Sequence, residues 1–159
     1  MYKKTKDLTQ ISIVACLYLV LTLSFSSISY LPSQFRVAEM IKPISTFNKK
    51  FAISMMLGNF LSNLFSPFVG SMELIFMPLS NLVGCIIGYY IGKYTHRLIG
   101  SIFIAFWISA SVAFMLKIVA GFPFILTFAN VLVSEVILMV SGYFIINYMH
   151  KKGVLSLDG

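Results

Sequence analysis

Long apolar stretches, each interrupted by at most one charge, constrain this chain more than any other feature. They run over residues 11–30, 71–91, 98–120 and 124–149. Each is about twenty residues or more, the length at which an α-helix crosses roughly 30 Å of hydrocarbon. The stretches do not alternate apolar with polar residues, as the strands of a membrane β-barrel do. With 58% hydrophobic and only 11% charged residues, the chain lacks the polar surface of a water-soluble domain. The expected fold is an all-α integral membrane protein forming one domain over residues 1–159. Two shorter segments, 36–47 and 51–65, bring the expected bundle to six helices. Both are too short to span straight through, so they require shielding by neighbours or a thinned membrane.

The cations supply the topology. Lys3, Lys4 and Lys6 precede the first stretch, and Lys49 and Lys50 separate the second from the third. Lys93 and Arg97 separate the fourth from the fifth, and Lys151 and Lys152 follow the sixth. Every second break is basic, and excess Lys and Arg stay on the cytoplasmic side of a bilayer. Both termini are therefore expected in the cytoplasm. This arrangement absorbs most of the net charge of +7, so no nucleic-acid partner is implied. No convincing small-residue cleavage site follows the first stretch, which reads as a retained helix.

Several chemistries have no residues to support them. Cys16 and Cys85 lie inside apolar runs with no spacing for zinc or a disulfide framework. His96 and His150 fall at predicted helix ends without companion ligands, so neither a metal nor a cofactor is expected. Gly92-Lys93 lacks the upstream glycine and following Ser/Thr of a phosphate loop. No nucleophile–base arrangement is visible. The chain is not expected to be an enzyme, and any ATP-driven work needs another subunit to bind the nucleotide.

The remaining charges are the candidates for chemistry. Glu39 and Glu73 fall near the outer starts of their segments, and Glu135 lies about eleven residues into the last stretch, near mid-membrane. A charge at that depth costs roughly 2.5–3.5 kcal/mol on insertion scales, so it faces a cavity or a partner. Lys117 is a candidate partner for Glu135, either as a staple between two helices or beside a ligand. Glu73, Met77, Ser80, Asn81 and Gly84 share one helix face. Ser80, Gly84, Gly88 and Gly92 repeat every four residues, a ridge that lets helix backbones approach closely. Asn130 lies on a polar stripe with Thr127 and Ser134. Asn59 and Asn63 share a face suited to interhelical hydrogen bonds. Arg36, Glu39 and Lys42 are spaced three apart, so either Arg36 or Lys42 can pair with Glu39.

The stretches "ACLYLVLTL", "ISYLPSQFRVAEMI", "GNFLSNLFSPFVGSMELIF" and "FPFILTFANVLVSEVILMVSGY" together resemble the QueT family. These are membrane substrate-binding subunits (S components) of energy-coupling factor (ECF) transporters, associated with queuosine precursors. The resemblance covers about residues 11–151, and "QFRVAE" is its most specific part. It implies a six-helix bundle with a substrate cavity near the outer face, closed by the loop after the first helix. It also implies a transmembrane coupling subunit and two cytoplasmic ATPases as partners, with Ser12 and Cys16 at the small-residue positions that contact the coupling subunit. Gln34, Arg36 and Glu39 would sit in or beside the lid. The implied ligand is a 7-deazaguanine, such as 7-aminomethyl-7-deazaguanine or queuine. Its pairing edge offers two N–H donors to one carboxylate. An aminomethyl group seeks a second carboxylate, so Glu73 and Glu135 would divide these tasks, with Asn81 or Asn130 donating to the ring carbonyl. The alternatives are an S component for another vitamin-like molecule and a self-sufficient oligomeric secondary transporter.

Overall fold

A computed structural model describes residues 2–29, 35–155 and 157. Among these residues it is all-helical. Helix α1 is Tyr2–Ser24, α2 Ser26–Ser29, α3 Ile44–Phe47, α4 Phe51–Asn63, α5 Met77–Tyr94, α6 Arg97–Ala120 and α7 Phe124–Lys151. A 3₁₀ segment, Val37–Ile41, precedes α3, and a π-helical turn, Met72–Phe76, leads into α5. Four helical stretches are long and apolar enough to cross a membrane: Lys4–Ser24, Met72–Tyr94, Arg97–Ala120 and Phe124–Lys151.

The expected six-helix count is not what the structure shows. Segment 36–47 is not one helix. Pro43 has no N–H to continue an i→i−4 ladder, and the segment divides into the 3₁₀ turns and the single α-turn of α3. The entry to α5 is irregular for the same reason. Pro78 sits in its first turn, and the preceding backbone loosens to an i→i+5 bond from Met77 N–H to Met72 O. Helix α6 ends where the sequence marks a turn: Gly121 is left-handed at φ 71° and donates its N–H to Leu116 O.

Small residues set the packing. A Cβ on Gly100 would lie 2.3 Å from Gly88 O, and one on Gly84 would lie 2.4 Å from Trp107 Cδ1. The four-residue ridge of α5 is thus the seam against α6. A Cβ on Gly142 of α7 would lie 2.0 Å from Met40 O, so this glycine lets the 3₁₀ segment rest on α7. Gly58 of α4 admits Tyr18 of α1 in the same way.

One end of the bundle is basic. Lys50 Nζ reaches Asp7 Oδ1 at 2.6 Å and Gln10 Oε1 at 2.7 Å. Arg97 stacks 4.2 Å from the Phe47 ring, which also packs against Tyr143 and His150. The basic breaks at 49–50 and 93–97 and the end of α7 therefore meet at the level of the start of α1.

Candidate functional site

Away from the basic end, the bundle encloses charged side chains in two connected sets. The outer set centres on Arg36, whose Nη1 donates to Asn63 Oδ1 at 2.7 Å and whose Nη2 lies 3.5 Å from Glu73 Oε1. Asn63 Nδ2 donates in turn to Asn59 Oδ1 at 3.1 Å and to the Glu73 carbonyl at 2.8 Å. This network ties α4 to the π-helical turn and to the residue preceding the 3₁₀ segment.

The inner set centres on Glu39. Tyr18 O–H of α1 donates to its Oε1 at 2.5 Å, and Lys42 Nζ pairs with its Oε2. The backbone explains the choice between Arg36 and Lys42. Residues three apart eclipse in a 3₁₀ helix, which places Lys42 over Glu39. Arg36 is the extended residue before the first turn, at φ −91° and ψ 105°, and turns to Glu73 instead. The Lys42 side chain is fully buried, with Nζ 6.0 Å from the centre of the Tyr18 ring.

Between these sets lies a small cavity. Arg36, Glu39 and Lys42 form one wall, Asn59 of α4 another, and Met77 and Asn81 of α5 a third. Ile108 and Val112 of α6 and Glu135 of α7 close it. Its free volume is about 10 Å³, room for hardly one water. Two of its polar atoms, Asn81 Oδ1 and Glu135 Oε2, are buried without a hydrogen-bond partner. Asn81 is aimed by its own helix, since its Nδ2 donates to Met77 O at 2.9 Å. A buried unpartnered polar atom costs about 1–3 kcal/mol, more when charged, so this pair is a candidate for ligand contact. The larger groove of the molecule, about 690 Å³, opens at the basic end beside Lys49, Lys50, Tyr89 and Tyr90. Its lining includes none of the buried unpartnered atoms.

The candidates from sequence divide accordingly. Glu135, Asn81, Arg36 and Glu39 meet at the cavity. Glu73 is buried beside it but belongs to the Arg36–Asn63 network. Lys117 and Asn130 are both exposed, and neither lines the cavity. The expected alternative of a Lys117–Glu135 pair is corrected: no such ion pair occurs among the described residues. Lys117 lies in the last turn of α6, whereas Glu135 is buried deep in α7. Gln34 lies outside the described residues. Ser12 and Cys16 are exposed on α1. Sequence reasoning left out Tyr18 and offered Asn59 for interhelical hydrogen bonds. Tyr18 is marked by neither spacing nor charge, the Asn59–Asn63 spacing does not say what Asn59 faces, and the crossing of α1 with α4 brings both to the site.

Membrane-length helices packed around a small cavity lined by charged side chains define a multi-pass membrane protein. The chain belongs to the QueT transporter family, whose profile matches residues 8–151. It is 35% identical over 166 residues to a protein of Lactococcus lactis subsp. cremoris (strain MG1363), the queuosine precursor transporter QueT, covering 96% of this chain and 97% of that one. No solved structure matches the chain.

Proposed function

We propose that this chain is the substrate-capture subunit of an ECF-type, ATP-driven uptake transporter in a bacterial cytoplasmic membrane. Its ligand is a queuosine precursor, a 7-deazaguanine such as 7-aminomethyl-7-deazaguanine or queuine, taken from outside. The observation that carries this reading is the pair of unpartnered acceptors, Glu135 Oε2 and Asn81 Oδ1, at one cavity deep in the bundle. A 7-deazaguanine offers the matching donors along its pairing edge, and a carboxylate accepts two of them together. The name of the Lactococcus protein supports the same substrate class.

In this reading the termini are cytoplasmic and the basic end faces the cytoplasm, because Lys and Arg are retained there. The cavity then lies toward the outside. A free volume of about 10 Å³ does not admit a purine-sized base, so capture requires the wall to open. The 36–47 segment is the wall built from irregular, short turns. ATP is bound by partner subunits. Ser12 and Cys16 lie on a face of α1 where Ile13, Leu17 and Val20 are also uncovered, which suits contact with a transmembrane coupling subunit.

The test is thermal stabilisation of the purified protein by 7-aminomethyl-7-deazaguanine, queuine, guanine, riboflavin, thiamine and biotin. A ligand at one hundred times its Kd adds about 2.7 kcal/mol. The expected result is stabilisation by a deazaguanine that Glu135→Gln markedly weakens. Stabilisation by an unrelated vitamin alone sinks the substrate, and transport in liposomes without ATPase subunits sinks the ECF mechanism.

A further inference from the structure

We infer that Glu39 is a subsite for a primary ammonium ion, and that Lys42 fills this subsite only while the cavity holds no ligand. The inference deepens the proposed function, because it assigns the carboxylate that receives the aminomethyl group of a cationic 7-deazaguanine, and it rests on that reading for the ligand's identity.

The charge arrangement is the first ground. Arg36 serves Glu73 and Asn63, and Lys42 pairs with Glu39. Glu135 Oε2 has no hydrogen-bond partner. Three glutamates thus share two cations, and the only cation in the inner set is the Lys42 ammonium. Tyr18 fixes Glu39 from the opposite side through its 2.5 Å hydrogen bond, so the carboxylate stays oriented when its cation is exchanged.

Space is the second ground. The cavity has room for about one water, so a ligand enters only where a side chain leaves. Asn81, Ile108, Val112 and Glu135 stand on long helices. Lys42 stands in the turn between the 3₁₀ segment and α3, on a long unbranched stem. Lys is almost never fully buried unless paired, so Lys42 depends on Glu39 for its place in the wall. Displacing it frees both volume and a carboxylate already built for –NH₃⁺. An incoming primary ammonium preserves the charge balance at Glu39, whereas a neutral ligand leaves that carboxylate bare.

The experiment uses the full-length protein in detergent and has two arms. In the first, Lys42→Ala is heated with n-propylammonium chloride, which replaces the deleted stem and its charge, or with 1-propanol as the neutral control. The expected result is a Tm rise of several degrees with the ammonium and none with the alcohol. A response equal for both compounds, or absent, overturns the ammonium subsite. The double variant Glu39→Gln/Lys42→Ala removes the unpaired charge, so it remains measurable if the single variant melts too early. It is expected to lose the ammonium response, and keeping that response overturns the role of Glu39.

In the second arm, the Kd of 7-aminomethyl-7-deazaguanine is measured for wild type and Lys42→Met. Removal of a resident competitor tightens binding, by about tenfold here. A Lys42 that contacted the ligand or only shaped the wall gives weaker or equal binding, and that outcome overturns the exchange. If no deazaguanine binds either protein while propylammonium still stabilises Lys42→Ala, the ammonium subsite stands and the proposed substrate falls.

Discussion

The α5–α6 seam and the wall of the cavity are both buried, but they are built on opposite terms. Along the seam, Gly88 and Gly100 bring two backbones together, and the few polar groups are mutually satisfied. Ser80 and Ser111 hydroxyls lie 2.6 Å apart, and Trp107 Nε1–H donates to Ser80 O at 3.0 Å. Around the cavity, Arg36 and Glu39 are each held by two partners, whereas Asn81 Oδ1 and Glu135 Oε2 have none. The seam is closed by backbone contact with its polar groups paired. The cavity wall keeps unpartnered hydrogen-bonding groups at a cost to stability.

This contrast is open to attack by mutation. The largest stability effect is expected at Lys42→Met, which strands Glu39 as an unpaired buried carboxylate. Breaking a buried pair in this way costs about 3–5 kcal/mol, to be read from thermal or denaturant melts. Gly100→Ala follows, at about 1–3 kcal/mol from overpacking, because the new methyl group meets the Gly88 carbonyl and not a yielding side chain. A Tm unchanged in Gly100→Ala breaks the description of the seam.

Glu135→Gln sharpens the comparison from the other side. It keeps the volume and removes a charge that has an unpartnered oxygen, so Tm is expected to hold or rise slightly. The affinity for a deazaguanine falls by about 10- to 100-fold, the worth of a charged hydrogen bond. Collapse of the fold in this variant shows that Glu135 is a structural residue. The smallest effect is expected at Lys117→Ala. Its exposed side chain belongs to neither region, and both Tm and ligand affinity are expected to stay within error.

Much of this was legible in the sequence because hydrocarbon leaves so few solutions. Backbone groups must be satisfied within the segment, so the long apolar stretches had to be helices. The small-residue ridge announced its close contact through its spacing alone, and Glu135 stood out because a mid-membrane charge needs a reason. The expectation for residues 36–47 was less accurate. Its hydropathy and length suit one helix, and Pro43 is the local signal that it divides.

The sequence by itself determined the helical membrane architecture, the basic end and the glutamates as groups that need a partner or a cavity. Each follows from the transfer cost of a group into a medium without water, which a residue carries wherever it goes. Tertiary structure alone decided the pairings. The 3₁₀ geometry eclipses Lys42 with Glu39, the extended backbone at residue 36 sends its guanidinium to Glu73, and the crossing of α1 and α4 brings Tyr18 and Asn59 inward. Lys117, which the sequence offered to Glu135, stays on the surface. Which charge meets which depends on helix phase and crossing, and those are set by packing between segments far apart in the chain.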